Sequence, residues 1–174
     1  EALELREAGI TCEILIFGAL TRPQTDRAVR KGFILGITGP ETLHHAAAAS
    51  DAGNRVRIHL KLDSGMGRMG LVETELAEAA RLLSASKIET EAIYTHFAKA
   101  SDPRDPFTSE QIARFDQMLA TLRRLGVEAP LHHLANSAAT VCRNVRPGDF
   151  VRVGLSLYGG EPLDNGESRL EPVM

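Results

Sequence analysis

The sequence contains no tryptophan, two cysteines and two tyrosines in 174 residues. Cys12 and Cys142 stand far apart and show no CxxC or other ligand spacing. A disulfide framework and a cysteine-based metal site are thereby excluded, and the two read as reduced cytosolic thiols. Basic charge is scarce: 20 Lys+Arg against 23 Asp+Glu give a net charge of −3, and no basic run exceeds two residues. A nucleic-acid partner is disfavoured on that ground. No apolar run approaches the ~18 residues needed to cross a bilayer, so no membrane partner is expected. The 15 glycines and 8 prolines follow no period, which excludes collagen-like and low-complexity chains. No charged and apolar leader opens the chain, which starts at Glu1; it is expected to begin inside a longer protein.

What is present is the composition of an ordinary globular domain, 43% hydrophobic and 25% charged, long enough for one domain with a sizeable core. Short β-type runs alternate with helical patterns. Strands are expected at 13–19 (EILIFGA), 33–37 (FILGI), 56–62 (VRIHLKL), 91–97 (EAIYTHF), 131–135 and 150–157. Helices are expected at 25–31, closed by Gly32, at 41–51 and at 74–85. The last carries Leu76, Ala79, Ala80 and Leu83 on one face. A further helix is expected from Thr108, where TSEQ has the form of a capping box with Gln111. Ile112, Phe115, Leu119 and Leu122 follow at 3–4 spacing, and Gly126 ends it. Strands every ~20–35 residues with a helix between them predict βα units and a parallel sheet. Residues 1–160 read as one unit. The tail 161–174, with two prolines and an Asp164-Asn165-Gly166 turn, reads as an exit segment.

In such folds the C-terminal ends of the strands carry the site. Four expected strands deliver chemistry there. One runs into Asp63-Ser-Gly-Met-Gly-Arg-Met-Gly70, the next ends in Thr95-His96-Phe97, the third in His133-Leu-Ala-Asn-Ser137, and the last carries Arg152, Gly154 and Tyr158. Taken singly, each has a bland reading. GMGR is a turn, His96 a hydrogen-bonded core histidine, and Asn136-Ser137 a helix cap. The cap reading also serves function, because free N–H groups at a helix start bind phosphate. Arg152 between Val151 and Val153 is harder to place as structure alone, since a buried arginine needs a partner. Lys61 can face either side of its strand. His44, His45 and His132 read as structural.

Together HLKLDSGMGRMGL (59–71), YTHFAKASD (94–102), FTSEQIARF (107–115), HLANSAA (133–139) and VRVGLSLYGGEP (151–162) resemble the alanine racemases. The resemblance covers essentially the whole chain in order. It implies a (β/α)8 TIM-type barrel that binds pyridoxal 5'-phosphate, incomplete here at about strands three to eight. It also implies that a C-terminal β domain lies outside the chain. Arg68 matches the arginine that bonds the cofactor's phenolic oxygen near the substrate carboxylate. Lys61 matches the lysine that is carbamylated in many members. His96 matches the histidine packed on the cofactor ring. Asn136 and Ser137, with the backbone of Gly154 and Leu155, match the phosphate cradle. Arg152 matches the arginine facing the pyridine nitrogen, and His133 its hydrogen-bonding neighbour. A guanidinium stays charged at working pH and leaves that nitrogen unprotonated, which weakens the electron sink and limits side reactions.

The family's Schiff-base lysine and its opposing tyrosine have no counterpart here, and Tyr94 and Tyr158 match neither role. The implied parent interconverts L- and D-alanine for cell-wall synthesis in the cytoplasm as a homodimer. The alternatives are a serine or broad-specificity racemase and a non-catalytic barrel that binds the same cofactor. The barrel is expected to be open, with exposed apolar edges, and the chain alone inactive.

Overall fold

In β3 (Val56–Lys61) the aliphatic Val56, Ile58 and Leu60 alternate with Arg57, His59 and Lys61. A pleated strand sends the two sets to opposite faces. In the computed structural model, which describes residues 1–142, 146, 148–164, 170, 171 and 173, the aliphatic set is fully buried in one core cluster with Leu43, Leu76 and Leu83. The polar set lines the other face. That division positions the site.

The element order is α1 (Ala2–Glu7), β1 (Leu15–Ile16), α2 (Arg22–Arg30), β2 (Ile34–Ile37), α3 (Pro40–Asp51), β3, α4 (Leu76–Ala85), β4 (Ile88–Tyr94), α5 (Phe107–Arg124), β5 (Leu131–His133) and α6 (Ser137–Cys142). All strand pairs are parallel, and the sheet order β1-β2-β3-β4-β5 follows the chain. Repeated βα units of this kind build part of a TIM-type barrel. Among the described residues β1 and β5 do not meet, so the barrel is open as expected. Leu76, Ala79, Ala80 and Leu83 of α4 are all buried, and so are Phe115, Met118 and Leu122 of α5. Each large side chain so buried stabilises the fold by about 1.5–3 kcal/mol.

The structure departs from the sequence reading in several places. First, β1 pairs over two residues only, and β4 begins at Ile88 rather than at 91.

Second, α5 starts at Phe107 behind Pro106, and Asp105 Oδ1 accepts the Phe107 N–H at 2.9 Å. Thr108 is thus one residue inside the helix and forms no capping box; its buried Oγ1 has no hydrogen-bond partner among the described residues. The Gln111 amide instead accepts from Ala98 N at 2.8 Å and donates to His96 O at 3.0 Å, which ties α5 to the end of β4. One half of such a cap forms at α2, where Thr21 N–H donates to Gln24 Oε1 at 2.9 Å.

Third, residues 150–157 are not a strand. Among the described residues, 151–153 make one backbone–backbone bond to the barrel, Arg152 N–H to Ala135 O at 2.9 Å, and Leu155–Tyr158 is a 3-10 turn. One hydrogen bond along one edge does not make a ladder, so the β propensity of Val151, Val153, Leu155 and Leu157 is not realised. Asn165 and Gly166 of the expected exit turn lie outside the described residues.

Candidate active site

The loop after β3 is organised by one carboxylate. Asp63 Oδ1 accepts the N–H groups of Gly65, Met66 and Gly67 at 3.0, 2.7 and 3.1 Å, and Oδ2 accepts Arg68 N–H at 3.1 Å. Burial pushes this carboxyl pKa up, but the four N–H donors outweigh it and hold it below the ordinary value. Gly70 closes the loop with φ +125°, and a Cβ there would stand 2.7 Å from Asp63 N. Glycine is the residue that fits both constraints. The loop thereby presents the exposed Arg68 to a cavity at the C-terminal ends of the strands.

That cavity, of about 330 Å³, is lined by Phe17, Lys61, Arg68, Met69, Tyr94, His96, Arg152, Val153 and Gly154. A larger depression of about 640 Å³ lies behind the same loop against α5, around Asp63, Arg114 and Met118. The smaller one gathers the cations and the histidine at the strand ends, and we place the site there.

Lys61 ends β3 buried, and its Nζ donates to the Met69 carbonyl. Its pKa is lowered by burial, and further by Arg68 and Arg152 against the pull of Asp63. His96 is half-buried. Burial, then Arg152, Lys61 and Arg68, push its pKa down to about 4, so it is neutral at pH 7. Arg152 enters from the 151–153 segment beside β5. Its Nη1 donates to His133 Nδ1 at 2.7 Å and His133 O at 2.9 Å; its Nη2 donates to Thr95 O at 2.7 Å and Leu134 O at 3.1 Å. Burial lowers the guanidinium pKa to about 10, which leaves it cationic at neutral pH. Both terminal nitrogens are engaged by the protein, and among the described residues Nε–H has no acceptor.

Asn136 caps α6: its Oδ1 accepts Ala139 N–H at 3.0 Å. Ser137 Oγ accepts the N–H groups of Gly154 and Ser156 at 3.0 and 3.3 Å. The start of α6 and the 154–156 backbone therefore meet at one point, with Leu155 N–H between those two amides. The structure thus brings Lys61, Arg68, His96, Arg152 and Gly154 to one cavity. His133 stands behind Arg152, and Asn136, Ser137 and Leu155 stand at the adjoining amide cluster.

Two buried hydroxyls here, Tyr94 Oη and Ser156 Oγ, find no hydrogen-bond partner among the described residues. Such groups call for a ligand or water. Tyr94 was assigned no role in the sequence, although it ends β4 two residues before His96, and both line the cavity. Its hydroxyl sits over Gly36, where a Cβ would come 3.3 Å from it. Phe17 was missed as well, having no motif around it.

An open (β/α) barrel with cations, a neutral histidine and an amide cluster at its strand ends defines the chain as part of a TIM-type α/β barrel with a polar site at the usual place. The sequence model described as "Alanine racemase, N-terminal domain" matches residues 1–162. Alanine racemase 1 of Oceanobacillus iheyensis is 39% identical over 93% of this chain and 44% of its own length. The alanine racemase of Bacillus anthracis, solved with bound L-Ala-P, superposes with a TM-score of 0.87 and 32% identity, over 98% of this chain and 46% of that one. The histidine racemase of Leuconostoc mesenteroides superposes with a TM-score of 0.85 and 25% identity, over 98% and 47%. The chain belongs to the alanine racemase family. It spans about half the length of the curated relatives it matches.

Proposed function

We propose that this chain supplies the cofactor-binding wall of a pyridoxal-phosphate-dependent amino-acid racemase that interconverts L- and D-alanine. The observation that carries the reading is the pairing of two features. The Lys61, Arg68, His96 and Arg152 cavity adjoins the Ser137–Gly154–Ser156 amide cluster, and an orphaned hydroxyl stands at each. That donor set fits the group: amides and hydroxyls for a phosphate, a cation for a phenolic oxygen, a neutral imidazole for a ring face.

Pyridoxal phosphate supplies the electron sink that makes the α-proton of a bound amino acid removable. The chain's own residues do the rest of the binding work. Asn136 and Ser137, with the backbone of Gly154 and Leu155, hold the phosphate. Arg152 offers Nε–H to the pyridine nitrogen and, being charged, leaves that nitrogen without a proton. His96 stays neutral and packs on the ring. Arg68 holds the phenolic oxygen and neutralises the substrate carboxylate, and Lys61 orients Arg68. The two bases on opposite faces of the α-carbon come from outside these residues. The 174 residues alone are therefore inactive, and the whole protein works as a cytoplasmic homodimer serving peptidoglycan precursor synthesis.

The test is a racemisation assay of the full-length protein with L-alanine, with and without pyridoxal phosphate, beside the 174-residue chain. Cofactor-dependent racemisation by the first and none by the second is expected. Cofactor-independent activity, or activity in the short chain, overturns the reading. The likeness to a histidine racemase favours, as second reading, the same chemistry on another amino acid. A panel of L-amino acids, serine and histidine among them, separates the two.

A further inference from the structure

A chain of buried polar groups leads away from the cavity. His133 Nε2 lies 3.1 Å from His59 Nδ1, and His59 Nε2 faces Glu91 Oε2 at 3.8 Å. The other Glu91 oxygen takes the Arg57 Nε–H, and Arg57 Nη1 reaches Glu13 Oε2 at 2.8 Å. Arg57, His59 and Lys61 alternate on β3, which puts all three on the inner face. Glu91 joins them through an irregularity in the β3–β4 ladder. Ile58 pairs with Thr90 and His59 with Ala92, so Glu91 is the extra residue of a bulge. Bulges re-aim a side chain in this way.

The two ends of this chain fix its direction. A guanidinium only donates hydrogen bonds and an ionised carboxylate only accepts them. Arg152 Nη1 donates to His133 Nδ1, so that nitrogen is bare, and neutral His133 carries its proton on Nε2. That Nε2–H donates to His59 Nδ1, which is therefore bare as well. His59 then carries its proton on Nε2, pointed at the carboxylate. The alternative tautomers set donor against donor at Arg152. The His133 ring is also gripped between Tyr94 and Phe150, with centroids 4.5 and 4.3 Å away, which opposes the ring flip that would put carbons where its nitrogens stand.

Resting on the reading above, we infer that His59 and Glu91 are positioning residues. They impose one tautomer on His133 and through it hold the Arg152 guanidinium in the cavity wall. Arg57 anchors the far end by donating its Nε–H to Glu91. The line runs from a surface ion pair at Glu13 to the cavity, through residues that do not line it.

The test is long-range 1H–15N correlation on histidine- and arginine-labelled full-length protein. His59 and His133 are both expected to show a protonated Nε2 and a bare Nδ1 at neutral pH. A protonated Nδ1 on His133, or a charged ring on either, overturns the inference. Separate Nη1 and Nη2 signals of Arg152 report a held guanidinium. They are expected in the wild type and in His59→Asn, whose Oδ1 replaces the Nδ1 acceptor. They are expected to collapse in His59→Phe, which has no acceptor. Unchanged signals in His59→Phe overturn the positioning role. Should that variant not fold, the wild-type tautomers and His59→Asn decide. Titration of the same samples with pyridoxal phosphate, followed by absorbance, tests the proposed function separately. Its failure leaves the tautomer result standing, and the reverse holds too.

Discussion

Arg152 and His133 are joined twice: the same Nη1 donates to the imidazole Nδ1 at 2.7 Å and to the His133 carbonyl at 2.9 Å. With Nη2 bonded to Thr95 O and Leu134 O, one side chain bridges the ends of β4 and β5. Arg152→Ala leaves these acceptors unpaired, and a charged hydrogen bond contributes about 1.5–3 kcal/mol. We expect a loss on the order of 3 kcal/mol in denaturant unfolding, together with loss of cofactor binding. A midpoint within error of wild type refutes the bridge.

Arg68 is exposed on its loop, so removing its side chain should cost the fold little. Arg68→Ala is expected to leave the melting temperature nearly unchanged and pyridoxal phosphate bound. Turnover should fall about tenfold to a hundredfold, the equivalent of one charged hydrogen bond. Unchanged kinetics remove Arg68 from the site.

Lys61 is buried with its pKa lowered, so more of it is free amine than on a surface lysine. Free amine adds to carbon dioxide, forming an N–C bond and releasing one proton. The product is an anion beside Arg68 and Arg152, where a buried charge has partners. Intact mass in bicarbonate is expected to show one added carboxyl group, absent in Lys61→Ala. An unmodified wild-type mass refutes it.

Gly70→Ala tests the loop. A Cβ at φ +125° and 2.7 Å from Asp63 N forces the backbone to move, at a cost of about 1–3 kcal/mol. Chemical denaturation should show that loss, and cofactor affinity should fall with it. An alanine variant as stable as wild type shows that the loop tolerates another path.

Acid should destabilise the fold through its histidines. Burial holds His96 down to about 4 and His133 down to about 2, against 6.5 in the unfolded chain. Below pH 6.5 the unfolded state takes up protons that the folded state refuses, so stability falls as pH falls. It is complete above 6.5. The share of His96 is lost by about 4, and that of His133 continues lower. Each unit of depression is worth about 1.4 kcal/mol. The urea midpoint at about pH 5 should lie clearly below that at about pH 7.5; equal midpoints refute the buried neutral histidines.

The β-helix rhythm was legible because it is written within a few residues. Val56, Ile58 and Leu60 against Arg57, His59 and Lys61 specify a strand with one apolar face, and Leu76, Ala79, Ala80 and Leu83 specify a helix face. Elements that depend on a neighbour were less legible. Residues 150–157 carry β propensity but, among the described residues, share a single backbone–backbone bond with the barrel, and Gln111 leaves its capping position for the end of β4.

The sequence by itself determined the repeating βα order, the loop glycines and the identity of the groups that reach the strand ends. Each rests on local periodicity, backbone sterics or the chemistry of a single side chain. Only the tertiary structure decided which of these groups meet. His59 and His133 are 74 positions apart, and their contact follows from strand register and from a one-residue bulge that turns Glu91 inward. Pairing across such distances depends on the whole sheet assembling, and no short stretch of sequence encodes it.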